Sequence, residues 1–175
     1  MIVVSDSGPL MALAKVGGLD TLFSLFPKIL TPPAVYEELI TAGLRLGAPD
    51  AALLQECYRS RQLEIMSPER TKLPVPALLG PGEEQSVLLA IGRRADCLLI
   101  DDLDARKAAL ANLKAAGMGT QLKGTLGVIL SACEGGHLSR ADAISLVETA
   151  RNRPDIWISA ALCDHVLVLL EKSTH

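Results

Sequence analysis

Two short aliphatic runs, IVVS at 2–5 and CLLI at 97–100, each end against an aspartate, Asp6 and Asp101. Brief apolar or β-branched runs bounded by turn residues read as buried strands. Both runs pass at once into helical patterns. Buried strands that alternate with helices belong in a parallel sheet covered on its faces. The composition agrees: 49% of residues are apolar but only 3% aromatic, so the core must be Leu, Val, Ile and Ala.

The rest of the 175-residue chain fits that frame. Helices are expected over 9–18, 19–26, 49–60, 82–95, 103–117 and 125–136, with further helical patterns at 139–151 and 158–172. In TPPAVYEELITA, Thr31 is expected to cap a helix with Pro32 at its first position. Minor strands are expected at 28–30, 63–66 and 120–124, and residues 67–82, with four prolines and two glycines, as a loop. The fold class is therefore α/β: a three-layer α/β/α sandwich with a central, mostly parallel sheet. The length suits one domain over 1–175, with its core at about 1–135 and a helical extension at about 136–175.

Bulk properties set limits on function. No apolar run reaches the ~18–20 residues that cross a bilayer, and MIVVSDSG lacks the basic start of a signal peptide, so a cytoplasmic protein with no membrane partner is expected. Cys57, Cys97, Cys133 and Cys163 are widely spaced and read as reduced thiols. His137, His165 and His175 adjoin no recognisable nucleophile motif. The net charge of −3 weakens a nucleic-acid reading. It does not exclude one, because cations held by clustered carboxylates would offset it.

Sites in parallel sheets form at the carboxyl ends of the strands, where Asp6 and Asp101 both fall. Each alone could equally cap the element that follows. At ~100° per residue, Glu38 flanks the Val35, Leu39, Ala42 stripe and faces the sheet, whereas Glu37 faces water. Glu83 and Glu84 suit a helix's first turn, and spacing does not choose between them. Asp102 and Arg106, four apart, could pair on a helix surface, and Asp104 is near enough to Asp101 to assist it. Carboxylates ~4 Å apart repel by on the order of 4 kcal/mol per pair at an effective dielectric near 20. Shared protons or a bound cation must relieve this, and hard oxygen ligands favour Mg²⁺ or Mn²⁺. Such an ion suits phosphodiester hydrolysis.

The opening IVVSDSGPLMALAKVGGLDTLFSLFPKILTPPAVYEEL resembles the start of a PIN domain, in the branch related to VapC-type toxins. LGPGEEQSVLLAIGRRADCLLIDDLDARKAA resembles that branch's middle, LKGTLGVILSA its later turn, and DIWIS at 155–159 is a weaker echo. The resemblance implies an endoribonuclease whose acidic cleft binds Mg²⁺ or Mn²⁺. It carries the metal-holding, catalytic acids onto Asp6, Glu38, Glu83 and Asp101. Ser7 and Thr125 fall at supporting hydroxyl positions, Asp102 or Asp104 could orient water, and Arg106 matches a recurrent arginine of unassigned role. Many relatives carry an acid two places beyond the residue matching Glu83, where this chain has Gln85. The implied chemistry is in-line attack of water on an RNA phosphate, leaving a 5′-phosphate and a 3′-hydroxyl. The implied partners are RNA and a small antitoxin protein. The broad apolar surface of the last helix suits either a homodimer contact or burial within the chain.

Two other readings compete. A phosphoacceptor receiver domain would explain LLIDDLD, but Asp142, Asp155 and Asp164 follow no apolar strand. A non-catalytic PIN-like module that binds RNA or protein would leave the acids without a role.

Overall fold

The structure is a computed structural model that describes residues 1–69 and 71–172. Arg70, in the proline-rich loop, and residues 173–175, including His175, lie outside the described residues. Among those described, the elements run β1 (Val3–Ser5), α1 (Ser7–Val16), α2 (Leu19–Leu25), β2 (Ile29–Thr31) and α3 (Pro33–Tyr36). A π-helical stretch (Glu37–Ala42), α4 (Gly43–Arg45), α5 (Pro49–Arg59), β3 (Leu63–Ile65), α6 (Pro81–Gly92) and β4 (Cys97–Leu99) come next. The chain continues through α7 (Leu103–Ala115), β5 (Gln121–Lys123), α8 (Thr125–Glu134), α9 (Arg140–Asn152) and α10 (Ala160–Lys172). No helix among the described residues is long and apolar enough to cross a membrane. All four cysteines are free.

The five strands pair in the order β3-β2-β1-β4-β5, and every pairing is parallel. Period-2 alternation divides their side chains between two cores. Val3, Ile29, Leu63, Cys97 and Leu99 face one side, with buried residues from α1, α2, α5, α8, α9 and α10. Val4, Leu30, Leu98 and Ile100 face the other, under α6 and α7. This is the expected three-layer α/β/α sandwich. The β4 strand, late in the chain, returns to lie beside β1, so the strand order reverses between them. Crevices outside the carboxyl ends of strands at such a switch point are where open α/β sheets bind ligands.

Two local expectations shift. Thr31 does not cap the helix that follows. It closes β2 opposite Ile65, and its hydroxyl meets the Tyr58 hydroxyl at 2.8 Å, so Pro32 is the cap and Pro33 opens α3. That helix then widens into the π-helical stretch, which buries Leu39 and Ile40 and leaves Ala42 half-buried, unlike the regular stripe. Gly43 permits this path, because a Cβ there would stand 2.8 Å from the Ala51 Cβ of α5. The proline-rich loop is fastened by Asn112 of α7, whose Oδ1 accepts from the Val75 amide at 2.8 Å while its amide donates to the Ala108 carbonyl at 2.9 Å.

Candidate acidic site at the strand ends

The Asp6 amide donates to the Leu99 carbonyl at 2.9 Å, so the last sheet bond of the central pair sets this carboxylate on the rim. The chain leaves β4 through Ile100, whose amide donates to the Lys123 carbonyl at 2.8 Å, and Asp101 follows. The two aspartates therefore come from adjacent strands at the same end of the sheet. With Ser7, Glu38, Glu83 and Asp102 they line a cleft of about 320 Å³, bounded opposite by Lys15 and residues 155–158.

Two glycines, Gly82 and Gly124, leave room for this cluster, and Gly8 lies beside it. A Cβ on Gly82 would stand 3.3 Å from Asp6 Oδ1 and 3.4 Å from Glu38 Oε2. One on Gly8 would touch Oδ2 of both Asp101 and Asp6, at 3.7 and 3.9 Å. One on Gly124 would be 2.6 Å from Asp101 Oδ1. At Gly82 and Gly124 the carboxylates thus crowd the space a side chain would fill, whereas at Gly8 the contact would be an ordinary one. Each glycine adjoins a predicted site residue or lies two positions from one, a signal that sequence reading alone left unused.

The acids are held differently. Asp101 is gripped from α8: its Oδ1 accepts from the Thr125 amide at 2.7 Å and its Oδ2 from the Thr125 hydroxyl at 2.6 Å. Burial pushes its carboxyl above the ordinary range, against the pull of those two bonds and of Arg106. Asp6 is buried, and its Oδ1 has no hydrogen-bond partner. Burial raises its pKa to about 7, opposed by the amides of Ser7 and Gly8 and reinforced by the charges of Glu38 and Glu83. Glu83 Oε2 accepts from the Gly80 amide at 2.9 Å, so it serves its own helix start while lining the cleft. Glu38 is exposed, with its Oε2 beside Asp6 Oδ1 around Gly82.

The remaining predicted residues are sorted by geometry. Glu84 is exposed and absent from the cleft lining, whereas Glu83 lines it. Gln85 turns away from the cleft, and its Oε1 accepts from the Ala34 amide at 3.1 Å, tying α6 to the start of α3. Asp102 and Arg106 take separate partners: Asp102 Oδ1 caps α7 through the Ala105 amide at 2.7 Å, and Arg106 donates to the Ile100 carbonyl at 2.8 Å and the Leu122 carbonyl at 3.5 Å. Arg106 thus clamps the ends of β4 and β5 behind Asp101. Asp104 lies outside the cleft lining, because its exposed carboxylate pairs with Lys107 at 2.9 Å. Lys15 and Trp157 on the cleft wall were not anticipated. Lys15 carries no sequence signal, and Trp157 falls in the DIWIS echo.

Among the described residues, no three His, Cys, Asp or Glu side chains stand close enough together to enclose a metal ion. The donor set nonetheless fits a hard cation. It consists of carboxylate oxygens, one of them buried and unpartnered, around a hollow kept open by Gly82.

The fold is a three-layer α/β/α sandwich with acids gathered at its switch point. A family model described as a PIN domain matches residues 2–172, and the chain belongs to the PIN domain family. PIN domains are generally nucleases that use divalent metals on nucleic acid. Neither the curated proteins nor the solved structures give a significant match.

Proposed function

We propose that the protein is a metal-dependent endoribonuclease and that Asp6, Glu38, Glu83 and Asp101 hold its Mg²⁺ or Mn²⁺. The observation that carries this reading is the shared cleft at the switch point, where a buried, unpartnered Asp6 oxygen faces Glu38 across Gly82. An uncompensated carboxylate in that position is costly to ionise, and a cation there removes the cost. When bound, the ion neutralises charge on the phosphate and lowers the pKa of water. Asp101, fixed by Thr125, would supply a rigid oxygen, and exposed Glu38, beside Asp6, has the side-chain freedom to join it. Asp102, on the cleft wall, is placed to orient a water, whereas exposed Asp104 lies outside the cleft lining. A role as a toxin restrained by a small antitoxin rests on the resemblance alone, and a small DNA-binding protein encoded beside this gene would support it.

The test is cleavage of end-labelled single-stranded RNA by the purified chain. Cleavage is expected with Mn²⁺ or Mg²⁺, and EDTA, Asp6→Asn or Asp101→Asn is expected to abolish it. Cleavage that persists in both variants would assign the activity elsewhere. A folded protein that binds RNA but never cuts it would support a non-catalytic module instead.

A further inference from the structure

We infer that Trp157 is a stacking platform for an unstacked base of single-stranded nucleic acid lying next to the acidic cleft, an inference that takes the proposed reaction as its starting point. The chain has two Phe, two Tyr and one Trp. Phe23 and Phe26 are buried, and Tyr36 and Tyr58 pack edge to face on each other with centroids 4.9 Å apart. Trp157 is 98% exposed. An indole presented this fully offers a whole aromatic face to a stacking partner.

Its position is fixed rather than loose. Ile156 is buried in a small cluster with Ala12 and Ala150, and Ile158 packs against the same cluster. Lys15 Nζ donates to the Asp155 carbonyl at 2.9 Å, and the Ser159 hydroxyl and carbonyl take the Leu162 and Cys163 amides at the start of α10. With Ile156 buried and the flanking backbone anchored, this segment presents the indole outward at the cleft rim.

The location identifies the occupant. Trp157 borders the acidic cleft and also a second groove of about 800 Å³ between α7, α8 and α10, and the two share Asp101 and Asp102. A chain whose phosphate lies at the aspartates has its adjoining base within reach of this rim. The groove also carries Arg106, Lys123 and exposed Leu103. The protein is acidic overall and lacks the basic footprint that usually supplies affinity for nucleic acid. Stacking on an aromatic face supplies affinity independent of charge and tolerates any base. It also demands a base free of its duplex partner.

As the sole tryptophan, Trp157 reports on itself. In the full chain carrying Asp6→Asn with Mg²⁺ present, titration with single-stranded RNA is expected to quench its fluorescence, while the same sequence as a duplex leaves it unchanged. Adding Trp157→Ala is expected to weaken binding of a dye-labelled single strand about tenfold or more, and Trp157→Phe to retain most of it. Quenching by single-stranded DNA would also support the platform. Unaltered affinity in Trp157→Ala, equal quenching by duplex, or a dimer that Trp157→Ala converts to monomer would overturn it. Wild-type cleavage is scored separately. Quenching without cleavage upholds the platform and removes the nuclease reading, and cleavage indifferent to Trp157 does the reverse.

Discussion

At the scale of single residues, the site is an arrangement of strained charge. Asp6, with its pKa near 7, keeps its proton in the native state over a pH range where an unfolded aspartate has already lost it. The native group binds more protons than the unfolded one between about pH 4 and 7, so stability falls as pH rises through that window and levels above it. The loss in EDTA is on the order of 4 kcal/mol at most. Asp6→Asn removes the ionisation, so urea unfolding in EDTA at pH 5 and pH 8 should show a much smaller fall than in wild type. Adding Mg²⁺ or Mn²⁺ at pH 8 should then stabilise wild type and leave Asp6→Asn unmoved. Asp101 has the opposite weakness, a dependence on crowding. In Gly124→Ala the new Cβ, 2.6 Å from Asp101 Oδ1, must drive the carboxylate off Thr125. Thr125 is fully buried, so its amide and hydroxyl lose their partners, at a cost of about 1–3 kcal/mol in urea unfolding. Unchanged stability would mean that Asp101 has a second resting place. Both aspartates were legible because a strand end is visible in sequence. The glycine hollows were not, since a missing side chain signals nothing until its neighbours are known.

At the scale of elements, the cleft depends on how α3 and α6 are set against each other, since one leads into the π-helical stretch bearing Glu38 and the other carries Glu83. Gln85 fastens them through the Ala34 amide. Gln85→Ala should cost about 1 kcal/mol of stability. It should also weaken metal-dependent cleavage, with the first effect read by urea unfolding and the second by initial rates. Gln85→Glu keeps an acceptor at that amide and should preserve stability. An unaltered Gln85→Ala variant would show that packing of Val35 against Gly82 suffices to hold the pair. Regular helical periodicity put Glu38 beside the core stripe, which matches its place in the cleft lining. It could not foresee the widening at Glu37–Ala42, because a 3.6-residue period carries no sign of a π-helical turn.

At the scale of the whole molecule, the sheet order that makes the switch point was only half visible. Strand identity follows from short aliphatic runs, but which strand returns beside β1 is decided by helices packing across both faces. The same limit applies to the end of the chain. Periodicity marked 139–151 and 158–172 as helices without saying what they cover. In the fold, Ala143 and Val147 of α9 and Cys163, Val166 and Leu170 of α10 are buried in the same core as Leu10, Leu13 and Ile129. Burying each larger side chain contributes about 1.5–3 kcal/mol, so together they rival the ~5–15 kcal/mol that holds a typical domain folded. A chain ending at residue 135 would also expose the side of α1 and α8 that these helices cover. We expect the full chain to show a cooperative thermal transition by circular dichroism and that truncation to lose it. A sharp transition in the shortened chain would show that residues 1–135 form an independent unit, with the last helices an addition to it.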